Sequence, residues 1–293
     1  MVAFSCWICG SRNGVLVRSG VASDVLKPAC LMITDSSYGR TLDLYCCQTC
    51  GFVQAHVEQD VVSLYEDLED PEYVAGWAER SLQHRKILEL VHSYIPTGRL
   101  LDIGAGGGTL VEQALKMGYD AEGIEPSRWL TGVARARSLP VYQGAFPSPD
   151  VVGEFDVITI VDVLEHVQDP VGLLRAVASS LTRTGLGVVV VPDVGSMVAR
   201  LLGRKWWHFR TAHIGYFNKE TILTALHKAG LAHVLIRRPA WYFPLGYLLE
   251  RLNRYLPGIL RLRNPARFSR PTVKLNLRDS LLVLFKPALS VTV

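Results

Sequence analysis

Residues 100–110 read LLDIGAGGGTL: an apolar run closed by Asp102, four glycines within five positions, then the start of a helical pattern. Glycine forfeits side-chain contacts and loses the most backbone entropy on folding, so a cluster of it behind a strand marks a tight turn where a ligand touches the backbone. From there to residue 238 strand and helix patterns alternate. RLLDI, AEGIE, VYQG, FDVITIVD, GLGVVVVPD and AHVLIRR read as strands; TLVEQALKMG, SRWLTGVARAR, DPVGLLRAVASSL and NKETILTALHKAG read as helices. The unbroken β-branched runs suit strands buried on both faces. The expectation is an α/β, doubly wound, Rossmann-like sheet that ends with SLLVLFK as its last strand.

In such a sheet the ligand lies beyond the carboxyl ends of the strands, and the first strand–helix turn is its usual seat. A dinucleotide fold needs G-x-G-x-x-G. Counted from Gly104 the third glycine falls on Thr109, and counted from Gly106 it falls on Val111, so that fingerprint fails in both registers. No Gly-Lys-Ser/Thr follows, which excludes a P-loop. What fits is D-x-G-x-G-x-G, at Asp102, Gly104, Gly106 and Gly108. Glu125, closing the next strand in GIEPS, is placed to accept both hydroxyls of a ribose, so an adenosine-bearing ligand is expected.

The D-x-G-x-G-x-G motif resembles the first motif of the class I S-adenosylmethionine-dependent methyltransferases. FDVITIVDVLEHVQDP resembles the fourth-strand motif of the group that includes the ubiquinone-pathway O-methyltransferases. HIGYFNKETILTALHKAGL is similar to their H-x-x-x-F segment, with Leu231 where an aromatic is common. The likeness runs over about residues 71–237 and the last strand. It implies a seven-stranded sheet with an antiparallel last strand, and S-adenosylmethionine as cofactor. It implies that Asp102, Gly104, Gly106, Gly108, Glu125 and Asp162 hold that cofactor, with Gly144 beside the adenine. Tyr73 and Arg80 resemble a Y…R pair that precedes the core in zinc-ribbon members, where the arginine meets the cofactor carboxylate; an ordinary surface arginine is the plain alternative.

Methyl transfer from a sulfonium needs alignment first, and a base when the acceptor is a hydroxyl or an acidic carbon. His166, at the carboxyl edge of the fourth strand and flanked by Asp162 and Glu165, is one candidate. In the quinone O-methyltransferases the similar E-x-x-E-H group is assigned to a divalent metal, which implies a metal at Asp162, Glu165 and His166, although aspartate replaces the first glutamate here. A strand end merely shaped by Glu165 and His166 is the third reading. His213, in FRTAHIGYF, is the second base candidate, with His208 behind it and Tyr216 to orient the acceptor.

All six cysteines lie in the first 50 residues. Cys6-x-x-Cys9-Gly and Cys47-x-x-Cys50-Gly each set two thiolates on one turn, and together they make a closed, structural Zn2+ site. Cys46 competes with Cys47 for that role, and Cys30 is expected to be buried. Clustered cysteines in a chain whose start, MVAFSCWICG, lacks a leader pattern suit a cytoplasmic metalloprotein rather than a disulfide scaffold.

Four segments follow: a zinc ribbon (1–60), a connector and leading helix (61–96), the cofactor-binding core (97–240), and a basic aromatic insertion with the final strand (241–293). Over 241–279 only Glu250 and Asp279 are acidic, against Arg251, Arg254, Arg261, Arg263, Arg267, Arg270, Lys274 and Arg278. That stretch is expected to cover the substrate, to touch a membrane surface peripherally, or simply to be solvated. The net charge of +4 is small for 293 residues and no nucleic-acid module is legible, so a small-molecule acceptor is expected: a sugar, a quinone-like ring or a natural-product intermediate, methylated on oxygen or carbon. A nucleic acid or protein methyltransferase docking through ribbon and basic tail is the first rival, and a non-catalytic cofactor-binding module the second. No window has the roughly 20 apolar residues of a membrane span.

Overall fold

The computed structural model describes residues 4–21, 26–35, 37–257, 261, 262, 264, 268 and 271–288. Arg263, Arg267 and Arg270 of the basic stretch lie outside the described residues. The amino-terminal part holds β1 (Gly14–Arg18), β2 (Leu44–Cys47) and β3 (Val53–Ala55), then α1 (Val61–Tyr65), α2 (Pro71–Ala75) and α3 (Trp77–His92). The alternating part follows as β4 (Arg99–Ile103), α4 (Thr109–Lys116), β5 (Asp120–Glu125), α5 (Arg128–Ala136), β6 (Val141–Gln143), β7 (Phe155–Val161), α6 (Pro170–Ser180) and β8 (Leu181–Pro192). After it come α7 (Met197–Leu202), β9 (Gly215–Tyr216), α8 (Lys219–Lys228), β10 (Leu231–Arg237), β11 (Trp241–Pro244), α9 (Leu245–Asn253), β12 (Thr272–Leu275) and β13 (Ser280–Pro287).

Seven strands form one sheet in the order β10-β13-β8-β7-β4-β5-β6. β4 through β8 pair in parallel, and β13 lies antiparallel between β8 and β10. The chain leaves β4 toward β5 and β6, then returns to β7 on the other side of β4. The strand order therefore reverses between β4 and β7, and their carboxyl ends open the crevice where ligands bind in such sheets.

Neighbouring residues of β4 serve opposite faces, as the pleat requires. Leu100 packs with Leu88, Val91 and Leu110 of α3 and α4. Leu101 packs with Leu174, Val177 and Ile222 of α6 and α8. On α3 the buried stripe is Gln83, Ile87, Leu88 and Val91, whereas the apolar spacing predicts Leu82, Ile87, Val91 and Tyr94. Ile87 and Val91 are buried as that spacing has it, Gln83 and Leu88 take the places of Leu82 and Tyr94, and Tyr94 lies beyond the end of the helix. β8 begins at Leu181, four residues earlier than its apolar run indicates, since pairing with Phe155 of β7 already starts there.

The ribbon is not a separate layer. Its sheet runs β1-β2-β3-β9, so the fourth strand is supplied by residues 215–216, far along the chain. Phe52, behind the second cysteine knuckle, is fully buried, and its ring meets Phe217 at 4.9 Å. Cys6, Cys47 and Phe52 belong to the same apolar cluster as Leu101 and Leu174. The insertion after β10 forms an antiparallel pair, β11 with β12, and α9. Among the described residues no helix is long and apolar enough to cross a membrane.

Because Phe52 joins ribbon and core, Phe52→Ala is expected to destabilise both together by about 3–5 kcal/mol, the usual cost of emptying a buried phenylalanine site. A denaturant titration read by far-UV circular dichroism and by thiol accessibility checks this: the two signals should shift in parallel, and loss of the ribbon signal alone would contradict the shared core.

Candidate active site and metal centre

The loop after β4 has the shape its glycines require. Gly104, Gly106 and Gly108 all take positive φ, at 73°, 55° and 89°, and Gly107 between them does not. A side chain on Gly106 would be strained by its backbone, and its Cβ would lie 2.5 Å from the Tyr73 hydroxyl oxygen. Gly106 N–H donates to Glu125 Oε2 at 2.8 Å, and Ser127 N–H donates to Oε1 at 2.9 Å. Glu125 is 5% exposed, and burial pushes its pKa up to about 7 against those two amides. Each carboxylate oxygen accepts more than one hydrogen bond, so lone pairs remain for ribose hydroxyls. Gly144 N–H donates to the Glu125 carbonyl at 2.9 Å, which sets it just past β6 against the backbone of Glu125.

Asp102, at the end of β4, is buried and accepts from Thr159 Oγ1 at 2.6 Å across to β7. Burial raises its pKa to about 7; Thr159 pulls it down, and the nearby Glu125 adds to the rise. Tyr73 and Arg80 come together over the loop. The Arg80 guanidinium carbon stands 3.7 Å from the Tyr73 ring centroid, and its Nε donates to the Tyr73 carbonyl at 3.1 Å. Asp162 directly follows β7, with φ 53°. Its side chain is exposed; desolvation by the surrounding chain raises its pKa to about 7, while Arg80 and Arg210 oppose the rise.

Next to this crevice, Glu165, His166 and His213 each present one donor atom within 4.8 Å of the others. Asp162 is not among these three; His213 stands where the motif's resemblance has Asp162. The backbone turns to positive φ at Asp162, and the third donor of the group arrives from the loop before β9. His166 Nδ1 is 2.7 Å from the Ala212 carbonyl oxygen and 2.7 Å from the Tyr65 hydroxyl. A carbonyl only accepts, so Nδ1 carries the proton and Nε2 is left free. The rings of His166 and His213 meet edge-on at 4.9 Å, and His208 stacks on His213 at 5.6 Å. Glu165 is 1% exposed and neither of its carboxylate oxygens has a partner; His213 Nδ1 is also buried without one. Burial lowers His166 to about 4 and His213 well below its ordinary value, and it raises Glu165 well above its own, with Asp162 adding to that rise.

Several of these partners are silent in the sequence. Tyr65 sits in an acidic connector, Thr159 inside an apolar strand, and Arg210 beside the histidines. Arg210 is tied by Nη2 to the carbonyls of Met32 and Ile33 at 2.6 and 2.8 Å. Tyr216 is buried, with its hydroxyl on the Arg210 carbonyl at 3.4 Å, so it braces the loop rather than facing an acceptor. His208 lies 3.6 Å from the buried Asp279.

The ribbon cysteines converge as their spacing predicts. Cys6 and Cys50 are 3.5 Å apart at sulfur, as are Cys9 and Cys47, and all four lie within 4.8 Å of one another without a disulfide. Sulfurs about 2.3 Å from a tetrahedral ion are about 3.8 Å apart, so the cage suits Zn2+. Gly10 and Gly51 close the two knuckles with matching φ of 75° and 76°. Burial pushes Cys6 up to about 11; Cys47, though also desolvated, is brought down to about 6 by the amides of Cys50 and Thr49. Cys46 stays outside the cage, and Cys30 is half-buried rather than enclosed.

Residues 75–236 match the methyltransferase domain family. The chain is 30% identical over 135 residues to the ubiquinone biosynthesis O-methyltransferase of Xanthomonas campestris pv. campestris (strain B100), covering 40% of this chain and 56% of that protein. It is 38% identical over 98 residues to the ubiquinone biosynthesis O-methyltransferase of Aeromonas salmonicida (strain A449), covering 30% and 40% respectively. The chain thus spans about half the length of these curated relatives. In fold it is similar to the CcbJ methyltransferase of Streptomyces caelestis, with a TM-score of 0.51 and 12% identity over 78% of this chain and all of that one.

Gly106→Ala is expected to weaken S-adenosylhomocysteine binding by at least about tenfold, or ~1.4 kcal/mol. Gly107→Ala, at ordinary φ and with its nearest foreign atom on Trp77 at 3.2 Å, should cost less. Calorimetric titration of both variants checks the order, and equal losses would refute the role given to positive φ.

Proposed function

Starting from a chain that belongs to the methyltransferase domain family, we propose that it moves the methyl group of S-adenosylmethionine onto an oxygen of a small ring-bearing acceptor. The observation that carries the acceptor half is the convergence of Glu165, His166 and His213 beside Asp162 at the mouth of the crevice. The ubiquinone O-methyltransferase relatives support a ring hydroxyl as acceptor.

When bound, the cofactor supplies an already activated methyl on a sulfonium, so the chain has to bind, align and deprotonate. Glu125 takes the ribose hydroxyls, and Gly104, Gly106 and Gly108 let the backbone approach. Arg80, held on Tyr73, meets the methionyl carboxylate, and Asp102 faces the ammonium. Gly144 lies by the adenine.

His166 and His213 are neutral throughout the physiological range, and their low pKa makes them weak proton acceptors but suitable metal ligands. A buried carboxylate with two orphaned oxygens and a buried imidazole with an orphaned nitrogen fit a divalent cation better than they fit an empty pocket. Glu165, His166 through Nε2, and His213 would hold it, and such an ion would acidify and orient an acceptor hydroxyl. Asp162, with a pKa near 7 and open to the crevice, takes the acceptor proton as the oxygen attacks the methyl carbon and the carbon–sulfur bond breaks.

A base must be ionised to act, so the rate should rise with pH through about 7 and level off above it. Asp162→Asn should remove that limb and cost roughly 100-fold or more in turnover. The assay is transfer of labelled methyl from S-adenosylmethionine into the small-molecule, lipid, protein and nucleic acid fractions of an extract. Label in small molecules or lipids supports the reading; label in protein or nucleic acid overturns it. His213→Ala should lose the thermal shift that Mg2+ or Mn2+ gives the wild type while still binding S-adenosylhomocysteine.

A further inference from the structure

The contacts of His166 leave one proton unaccounted for. Its Nδ1 lies 2.7 Å from the Ala212 carbonyl oxygen and 2.7 Å from the Tyr65 hydroxyl. Nδ1 is protonated because a carbonyl only accepts, so the hydroxyl can receive from that N–H but cannot donate to it. Among the described residues Tyr65 Oη has no other hydrogen-bond partner. Its own O–H is therefore a donor without an acceptor, on a ring packed with Leu68, Tyr73 and Ala212. A donor so enclosed is costly unless something accepts from it. Burial raises the pKa of the phenol, Arg210 opposes the rise, and Glu165 and Glu125 add to it, so the group keeps its proton across the physiological range.

Tyr65 also stands where the two halves of the site meet. It closes α1, and the residues just after it are fastened to the turn that follows Glu125. Arg128 N–H donates to the Glu66 carbonyl at 3.1 Å, and Ser127 Oγ donates to the Leu68 carbonyl at 2.7 Å. Ser127 N–H in turn holds Glu125 Oε1 at 2.9 Å. On its other side the Tyr65 ring meets His166 edge-on at 5.6 Å. One short helix thus reaches from the carboxylate on the cofactor side to the histidine grouped with Glu165 and His213.

We propose that Tyr65 is a further catalytic residue: its hydroxyl donates a hydrogen bond to the acceptor oxygen that receives the methyl group. The assignment rests on the proposed function, since it requires an oxygen acceptor. A neutral donor fixed at that atom holds it in line with the sulfonium methyl and stabilises the negative charge it gains as its proton leaves. That proton goes to Asp162, the oxygen–carbon bond forms as the carbon–sulfur bond breaks, and Tyr65 keeps its own proton throughout. His166 fixes the direction of the donor, because its Nδ1–H occupies the lone pair of Oη that faces it.

The test uses the full zinc-loaded chain saturated with S-adenosylhomocysteine, and para-nitrophenol as a coloured stand-in for the acceptor. The wild type should bind its phenolate, and the absorbance titration of the bound dye should run at lower pH than that of the free dye. Tyr65→Phe, which keeps the ring, should bind the phenolate at least about tenfold more weakly and lose that shift, with circular dichroism and S-adenosylhomocysteine affinity unchanged. In label transfer the same variant should lose roughly 100-fold in turnover. It should keep the rise with pH through about 7 that Asp162 gives. Heteronuclear NMR of isotope-labelled histidine should still show the Nδ1 proton of His166. A dye that the wild type does not bind, or that both proteins bind and titrate alike, overturns the proposal. So does loss of the Nδ1 proton in the variant, because Tyr65 would then act only by fixing His166. Label in protein or nucleic acid would overturn the proposed function, whereas unaltered dye binding with label still in small molecules would overturn the role of Tyr65 alone.

Discussion

A buried hydrogen bond from the Gly106 amide to the Glu125 carboxylate, 2.8 Å long, joins the turn after β4 to the end of β5. Around it the cofactor crevice takes its form. The carboxylate is desolvated and needs donors; the loop offers them only because Gly104, Gly106 and Gly108 accept positive φ. Tyr73 of α2 then fills the space that any side chain at Gly106 would occupy, and Arg80 at the start of α3 lies over the Tyr73 ring. One polar contact thus sets loop conformation, acid position and the seat of the leading helices.

The amino-terminal ribbon is tied to the acceptor side by the same kind of economy. β9 completes the ribbon sheet, and it directly follows the loop that carries His208, Arg210 and His213. Ile214 N–H donates to the Glu165 carbonyl at 2.9 Å, so the segment bearing His213 is stitched to the turn bearing Glu165 and His166. Gln168 reaches back to the Val57 carbonyl at 3.1 Å. An ion held at Cys6, Cys9, Cys47 and Cys50 would therefore stiffen more than the ribbon: it would anchor β2 and β3 and, through β9, the position of a histidine about 160 residues away in sequence.

Much of the fold was legible because parallel strands buried on both faces leave a plain apolar signature, as β7 and β8 do. The same sharpness held for the two C-x-x-C-G knuckles and for the spaced glycines, where local backbone geometry dictates the residue. On α3 the apolar spacing marks Ile87 and Val91, which are buried, but an apolar count cannot foresee that Gln83 is buried with them. The grouping around Glu165 is likewise not legible from local spacing. Asp162, Glu165 and His166 are neighbours in sequence, yet the donor that joins Glu165 and His166 within 4.8 Å is His213, from a distant loop.

By itself the sequence determined the strand–helix alternation, the chemistry of the turn after β4, the acid at the end of β5 and the four thiols of the ribbon. Each of these depends on residues within a few positions of one another, where propensity, sterics and spacing act directly. Only the tertiary structure decided that His213 joins Glu165 and His166, and that Tyr65 and Ala212 fix which nitrogen of His166 is free. Those outcomes depend on which surfaces the folded chain has already covered, and burial is a property of the whole packing rather than of any local run of residues.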